Sequence, residues 1–282
     1  MLEILHSGLY SSIQDLGRFE YRNYGVPVSG VMDEYHAKLA NHILGNDEND
    51  AVLEMTLQGV SVCFHEATQI VICGAYLSPI LNNQAVRLNV PLNVSKGDQL
   101  KFGKRNYGVR TYLAVKKGFQ TEKILKSRSY YDAITPKSRI ATGDFIPYQA
   151  HVKQIGSKAN IALQKEIFIN KEIHVYKGPE FDFLSKQQQE KLFNTEFSIG
   201  LNNRMAYQLH ETIENECPSI ITSAVLPGTI QLTPSGKLIV LMKDCQTTGG
   251  YPRILQLDQK SIIKLAQKHT RDKILFKKLS IL

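Results

Sequence analysis

The chain has 282 residues, 43% apolar and 21% charged, with a formal net charge of +8. That length supplies two hydrophobic cores, and the composition is that of a globular protein. The lysines and arginines are spread along the chain without a nucleic-acid motif, so no nucleic-acid partner is expected. No apolar run reaches the roughly 20 residues that span a bilayer, so no membrane partner is expected either. The opening Met1-Leu2-Glu3-Ile4-Leu5-His6 has neither the basic region nor the apolar core of a leader, and the expected location is the cytoplasm. Cys63, Cys73, Cys217 and Cys245 lack CxxC spacing and the eight histidines do not cluster, so no metal site is expected.

In chain order, residues 2–6 read as a strand. Residues 10–18 are polar, with Ile13 and Leu16 flanking Gln14 and Asp15. Gly25-Val26-Pro27-Val28-Ser29-Gly30 makes a fixed, irregular loop, and Asp33 or Ser29 stands where a helix N-cap belongs. Met32, Tyr35, Leu39, Ala40, Ile43 and Leu44 then recur at helical spacing, and Gly45-Asn46 gives the stop. From residue 51 the period changes. Segments 51–57, 60–64, 69–73, 77–81, 85–88, 100–102 and 111–115 are short apolar or alternating runs parted by turn residues such as Asn82-Asn83 and Lys96-Gly97-Asp98. Many short strands at regular spacing indicate a barrel or sandwich. Residues 126–165 show little periodicity and are expected to connect a first β domain, 1–125, to a second, 166–282. In the second domain, 173–176 reads as a strand, 181–193 as a helix, 261–267 as a short helix and 274–279 as a last strand.

The most informative stretch follows the apolar run Leu238-Ile239-Val240-Leu241-Met242. It reads Lys243-Asp244-Cys245-Gln246-Thr247-Thr248-Gly249-Gly250-Tyr251-Pro252. A buried strand, then polar side chains, then Gly-Gly, then Tyr-Pro describes a loop leaving a rigid sheet. Its glycines are expected to take positive φ and admit a ligand closely. Its Asp, Gln and Thr side chains supply donors and acceptors without excess charge.

Several segments together resemble the allophanate hydrolase subunit 2 family, also called the biotin-dependent carboxyltransferase family. They are Ser12-Ile13-Gln14-Asp15-Leu16-Gly17-Arg18, the loop from Gly25 to Asp33, Ala40-Asn41-His42-Ile43-Leu44-Gly45-Asn46, Leu53-Glu54, Gly178-Pro179-Glu180, Asn203-Arg204-Met205, Gly228-Thr229-Ile230-Gln231, and Leu241 to Pro252. They run in the family's order over nearly the whole chain. The chain departs from the family pattern at Lys116-Lys117-Gly118 and at Ala206. Cys245 falls at a position that looks variable in the family, so it is not taken as a nucleophile.

The resemblance implies a mainly β fold of two cyclophilin-like barrel domains with a few short helices. Bacterial stand-alone members include the C subunit of 5-oxoprolinase. The leading expectation is therefore a subunit of an ATP-dependent enzyme that opens 5-oxo-L-proline to L-glutamate with companion subunits A and B. Two alternatives are a carboxyltransferase acting on urea or a similar amide with a biotin-carrying partner, and a non-enzymatic regulator binding a kinase-inhibitor partner. The resemblance implies ATP, with Mg²⁺, as the complex's cofactor, and the lack of a phosphate-binding Gly-x-x-x-x-Gly-Lys motif in this chain assigns its binding to the companions. No Met-Lys-Met biotin attachment site occurs either. Lactam opening needs anion-stabilising donors and a placed base. Candidate catalytic residues are Asp15, Arg18, Asp33, Glu54, Arg204 and Asp244. Candidate substrate-binding residues are Gln14, Asn41, Gln231, Gln246, Thr247, Thr248, Gly249, Gly250 and Tyr251. Asp15 and Arg18, three apart in one loop, are also expected to form an ordinary ion pair.

Overall fold

The computed structural model describes residues 1–151, 165–218 and 220–280. By contacts the chain divides into two units. The first is Met1–Arg18 with Ser29–Lys165, and the second is Phe19–Val28 with Glu166–Leu282. The region expected to be a connector therefore belongs to the first unit, and its residues 152–164 lie outside the described ones. The stretch Phe19–Val28, expected in the first domain, belongs to the second. One reason is that Arg22, in the 3-10 turn Phe19–Tyr24, donates to the carbonyls of Val225 and Thr247.

The first unit holds two antiparallel sheets. One runs in the order Phe145–Ile146, Leu2–His6, Ser61–Phe64, Gln99–Phe102, Pro79–Leu81, Gln84–Ala85. The other runs Tyr10–Gln14, Val52–Thr56, Tyr107–Val115, Thr68–Tyr76, Leu92–Val94. Strand alternation sorts the side chains. Leu2, Ile4, Val62, Phe64 and Leu100 meet Ile13, Leu53, Met55, Ile72 and Leu113 in one core. The opposite face of the second sheet presents Val52, Val71, Cys73, Tyr112 and Ala114 to Ala37, Ala40 and Leu44 of the helix Glu34–Leu44. Buried on both faces, the strand Thr68–Tyr76 carries the apolar run Ile70-Val71-Ile72-Cys73 at its centre. The helix starts where expected, with the Asp33 side chain accepting from His36 N, and ends at Gly45 in the left-handed region at φ 61°.

The second unit is a closed barrel. Its strand order is Glu172–Lys177, Arg253–Leu257, Thr229–Leu232, Lys237–Leu241, Ala206–Thr212, Glu196–Asn202, Lys273–Lys278. The first and last of these pair in parallel and close the ring. The helix expected over 181–193 is divided. A 3-10 turn, Phe181–Phe183, comes first, and Ser185 then caps the helix Lys186–Asn194 in a capping box with Gln188. The Ser185 hydroxyl satisfies an orphan helix N–H at that point, which is why the helix begins anew there. The helix Gln259–Ala266 is capped by Asp258. Part of the stretch read as a loop is a small ladder: Thr248–Gly249 pairs with Ser223–Ala224. The mainly β fold with few short helices is as expected. Among the described residues no helix is long and apolar enough to cross a membrane.

Candidate functional site

The candidate residues fall into two sets, one in each unit. In the first unit, the 14–18 loop lies against residues 29–33: Val31 N donates to Asp15 O at 2.9 Å. Gly30 makes this approach possible. It has φ +88°, and a Cβ there would stand 2.7 Å from the Leu16 carbonyl. The Asp15 carboxylate does not turn to Arg18. It accepts from Gly17 N at 2.9 Å, Ser127 Oγ at 2.6 Å, Ser129 Oγ at 2.7 Å and Arg128 N at 2.6 Å. The expected Asp15–Arg18 pair is therefore replaced by an Asx-type turn that ties the loop to the 127–129 segment. Arg18 is 1% exposed, and its Nη2 donates to the Ser129 carbonyl at 2.5 Å.

Glu54 sits at the centre of a buried polar network on the helix-facing side of the sheet. Its Oε2 accepts from Met32 N and from the Tyr112 hydroxyl, both at 2.8 Å, and its Oε1 is 3.8 Å from Arg110 Nε. The Tyr112 oxygen accepts in turn from Asp33 N at 2.8 Å. Asp33 Oδ2 is 2.6 Å from His36 Nδ1, and Oδ1 caps the helix. Burial, with the charges of Glu54 and Asp33, pushes the Tyr112 phenol well above its usual range, so it stays a donor. Asp33 and Glu54 are 0% and 1% exposed, which makes them anchors of the sheet–helix junction rather than groups open to solvent. Gln14 donates from Nε2 to Ser12 Oγ at 2.9 Å and to the Tyr130 carbonyl at 3.2 Å. Its buried Oε1 has no hydrogen-bond partner among the described residues. Asn41, expected as a substrate contact, has its amide committed to the turn after the helix. Nδ2 donates to Asp50 O at 2.7 Å, and Oδ1 accepts from Asn46 Nδ2 at 3.1 Å.

In the second unit, Arg204 and Asp244 form a two-pronged ion pair. Nε meets Oδ2 at 2.8 Å and Nη2 meets Oδ1 at 2.9 Å, while Asp244 N donates to Arg204 O at 2.9 Å. The pair fastens the base of the 243–252 loop to the 203–205 turn. Beyond it the loop rises to the surface. Gln246 and Thr247 are half-buried, and Thr248, Gly250 and Tyr251 are exposed. The Thr247 carbonyl accepts from Val225 N at 3.1 Å and from Arg22 Nη2 at 3.4 Å. Gln231, 1% exposed, donates to the Tyr251 carbonyl at 3.3 Å.

The expected positive φ at the two adjacent glycines is not found. Positive-φ glycines occur elsewhere in the chain, and neither Gly249 nor Gly250 is among them. What Gly249 supplies is room: a Cβ there would stand 2.5 Å from Gln231 Nε2. Cys245 is buried against Val225 and Leu241, and burial pushes its thiol up to about 11, which suits packing and not nucleophilic attack.

Four contributors, Arg22, Glu180, Tyr112 and Arg110, lie outside the residues expected from the sequence. Arg22 reaches the 243–252 loop from far earlier in the chain. Glu180 clasps Arg253 through Nε at 2.9 Å, Nη2 at 2.7 Å and the backbone N at 2.8 Å. That clasp explains Gly178-Pro179-Glu180, since a Cβ on Gly178 would stand 2.1 Å from Arg253 O. Tyr112 and Arg110 alternate along one strand, a polar i, i+2 pattern inside an apolar run that signals a buried network. Chemically, the second unit's rim offers amide, hydroxyl and backbone groups on an ion-paired base, an arrangement suited to a small amide or carboxylate.

Known proteins place this geometry in a family. The C subunit of 5-oxoprolinase from Escherichia coli (strain K12) is 29% identical over 278 residues, 95% of this chain and 87% of that protein. The urea amidolyase of Lachancea kluyveri is 37% identical over 155 residues, 55% of this chain and 8% of that protein. Among solved structures, K. lactis urea amidolyase superposes with a TM-score of 0.87 at 26% identity, over 99% of this chain and 19% of that one. TTHA0988 superposes at 0.86 and 24% identity, which speaks for the fold alone, and this chain spans 55% of its length. The family model described as carboxyltransferase domain, subdomain A and B, matches residues 24–278, and the chain belongs to that family.

Proposed function

We propose that this chain is the C subunit of an ATP-dependent 5-oxoprolinase, acting with companion A and B subunits. The reaction breaks the lactam C–N bond of 5-oxo-L-proline. Water supplies the new carboxyl oxygen, the ring nitrogen leaves as the α-amine of L-glutamate, and ATP hydrolysis to ADP and phosphate drives the uphill opening. The observation that carries this reading is the extent of the likeness to the C subunit of 5-oxoprolinase, which runs through 95% of this chain and 87% of that protein. In this reading Gln246, Thr247, Thr248 and the backbone of Gly249 and Gly250 contact the substrate. Arg204, Asp244 and Gln231 hold that loop in shape. ATP and Mg²⁺ are bound by the complex.

The test is reconstitution. The chain mixed with A and B subunits, ATP, Mg²⁺ and 5-oxoproline should release glutamate, and omission of this chain should abolish release. Glutamate formation that is indifferent to this chain would overturn the proposal. A second reading, carboxyl transfer to urea or a similar amide from a biotin-carrying partner, is favoured by the 37% identity to urea amidolyase over about half of the chain. Bicarbonate-dependent carboxylation of urea by this chain with a biotin carrier, and no glutamate from the A–B mixture, would select it.

A further inference from the structure

Strand pairing brings together three residues that are scattered in the sequence. Glu3 lies opposite Cys63 in the antiparallel pair of Leu2–His6 with Ser61–Phe64, and His65 follows two residues on. Their neighbours Leu2, Ile4, Val62 and Phe64 point into the core, so Glu3 and Cys63 stand on the sheet's other face. One donor atom from each of Glu3, Cys63 and His65 lies within 4.8 Å of the other two. The His65 Nε2 to Glu3 Oε2 distance is 2.7 Å. The Glu3 and His65 side chains are 32% and 41% exposed, which leaves both room to move and a route for an ion. The Phe145 ring packs edge-on to His65 at 5.7 Å and forms an apolar wall beside the cluster.

We propose that Glu3, Cys63 and His65 bind a divalent transition-metal ion of the zinc class, with a solvent-held fourth position. The donor set is one carboxylate oxygen, one thiolate sulfur and one imidazole nitrogen, the set that borderline-soft Zn²⁺ accepts. At metal–ligand distances of about 2.0–2.3 Å, donors in one tetrahedral shell stand about 3.3–3.8 Å apart. The 2.7 Å separation of His65 Nε2 and Glu3 Oε2 would open by about 0.6 Å to reach that shell. The ion would join the strand Leu2–His6 to Ser61–Phe64 across their ladder and so stabilise the first unit. The site lies apart from the 243–252 loop in sequence and stands or falls independently of the proposed activity.

The test uses the full chain with Co²⁺ as a spectroscopic probe and Zn²⁺ as a stabiliser. Co²⁺ should give a thiolate-to-metal charge-transfer band and the strong d–d bands of a tetrahedral site, saturating at one ion per chain and displaced by Zn²⁺. Excess Zn²⁺ should raise the unfolding midpoint. Cys63→Ser should abolish the charge-transfer band, and His65→Ala should weaken metal binding at least tenfold. Cys217→Ser, which removes the other partly exposed thiol, should change neither readout. Cobalt bound without the charge-transfer band, or a zinc-induced shift equal in wild type and Cys63→Ser, would overturn the site and leave His65–Glu3 as an ion pair only.

Discussion

Removing Asp244 should expose how much of the second unit's loop depends on one ion pair. Asp244→Ala deletes the acceptor for Arg204 Nε and Nη2, at 2.8 and 2.9 Å, while the Arg204 side chain is 6% exposed. Breaking a buried pair by removing one partner costs about 3–5 kcal/mol, because a charge is left in low dielectric. Asp244 retains 13% exposure, so water reaches part of the site and the expected cost falls to about 2–4 kcal/mol. For a chain of this size that is a fall in Tm of roughly 3–8 °C. The paired variant Arg204→Met with Asp244→Leu removes both charges and should recover at least half of the loss. The assay is calorimetric or denaturant unfolding of the four proteins in a double-mutant cycle. If Asp244→Ala unfolds within about 1 °C of wild type, less than a surface pair would cost, the pair does not hold the loop and the reasoning fails. Glutamate release by reconstituted complexes separates scaffold from chemistry. A stable double variant that regains turnover assigns the pair to scaffolding, and one that stays inactive assigns it a part in the reaction.

The same geometry sets three other expectations. Gly249→Ala should cost about 1–3 kcal/mol, since the new Cβ displaces Gln231 Nε2 from 2.5 Å and strips a 1% exposed amide of its bond to Tyr251 O; adding Gln231→Ala should relieve the clash and return part of the loss in a melting scan. Tyr112→Phe should destabilise by about 1.5–3 kcal/mol, because one hydroxyl serves both Glu54 and Asp33 N; a loss below about 0.5 kcal/mol would mean that the network does not hold the helix junction. Glu180 is held below the usual carboxylate range chiefly by its hydrogen bonds to Arg253. Its stabilising contribution is therefore full above the unfolded value of about 4.3 and is lost as pH falls through the depressed folded value. A Tm–pH profile of Glu180→Gln should lie below wild type near neutrality and converge with it in acid, and parallel profiles would contradict the assignment.

The parts of this molecule that are encoded locally could be read from the sequence. Alternation located most strands, the Asp33 and Gly45 caps bounded the first helix, and the run of Gln, Thr and Gly marked a loop that does reach the surface. What could not be read depends on register between distant strands. The partners of Asp15 are Ser127, Arg128 and Ser129, more than a hundred residues away, and no spacing rule points to them. The nearby Arg18 looked the natural partner until the turn onto Gly17 N directed the carboxylate elsewhere. The pairing of Glu54 with Tyr112 is set by the ladder between Val52–Thr56 and Tyr107–Val115, where the two stand opposite each other. No spacing rule points to Arg22 either, because the short segment Phe19–Val28 belongs to the unit otherwise built from Glu166 onward. Motif order carried the family resemblance, because Arg204, Asp244 and the loop glycines sit within the short segments that resemble the family.

A product balance in the reconstituted mixture separates the proposed reaction from its rival in one experiment. This chain, A and B subunits, a biotin carrier with its ATP-dependent biotin carboxylase, ATP and Mg²⁺ are incubated separately with 5-oxo-L-proline and with urea plus bicarbonate, and glutamate, ADP and carboxylated urea are quantified. Glutamate and ADP should rise together with 5-oxoproline, both should be lost when this chain is left out, and no carboxylated urea should form. Stable assembly of the three subunits with no glutamate formed from 5-oxoproline would contradict the proposed function.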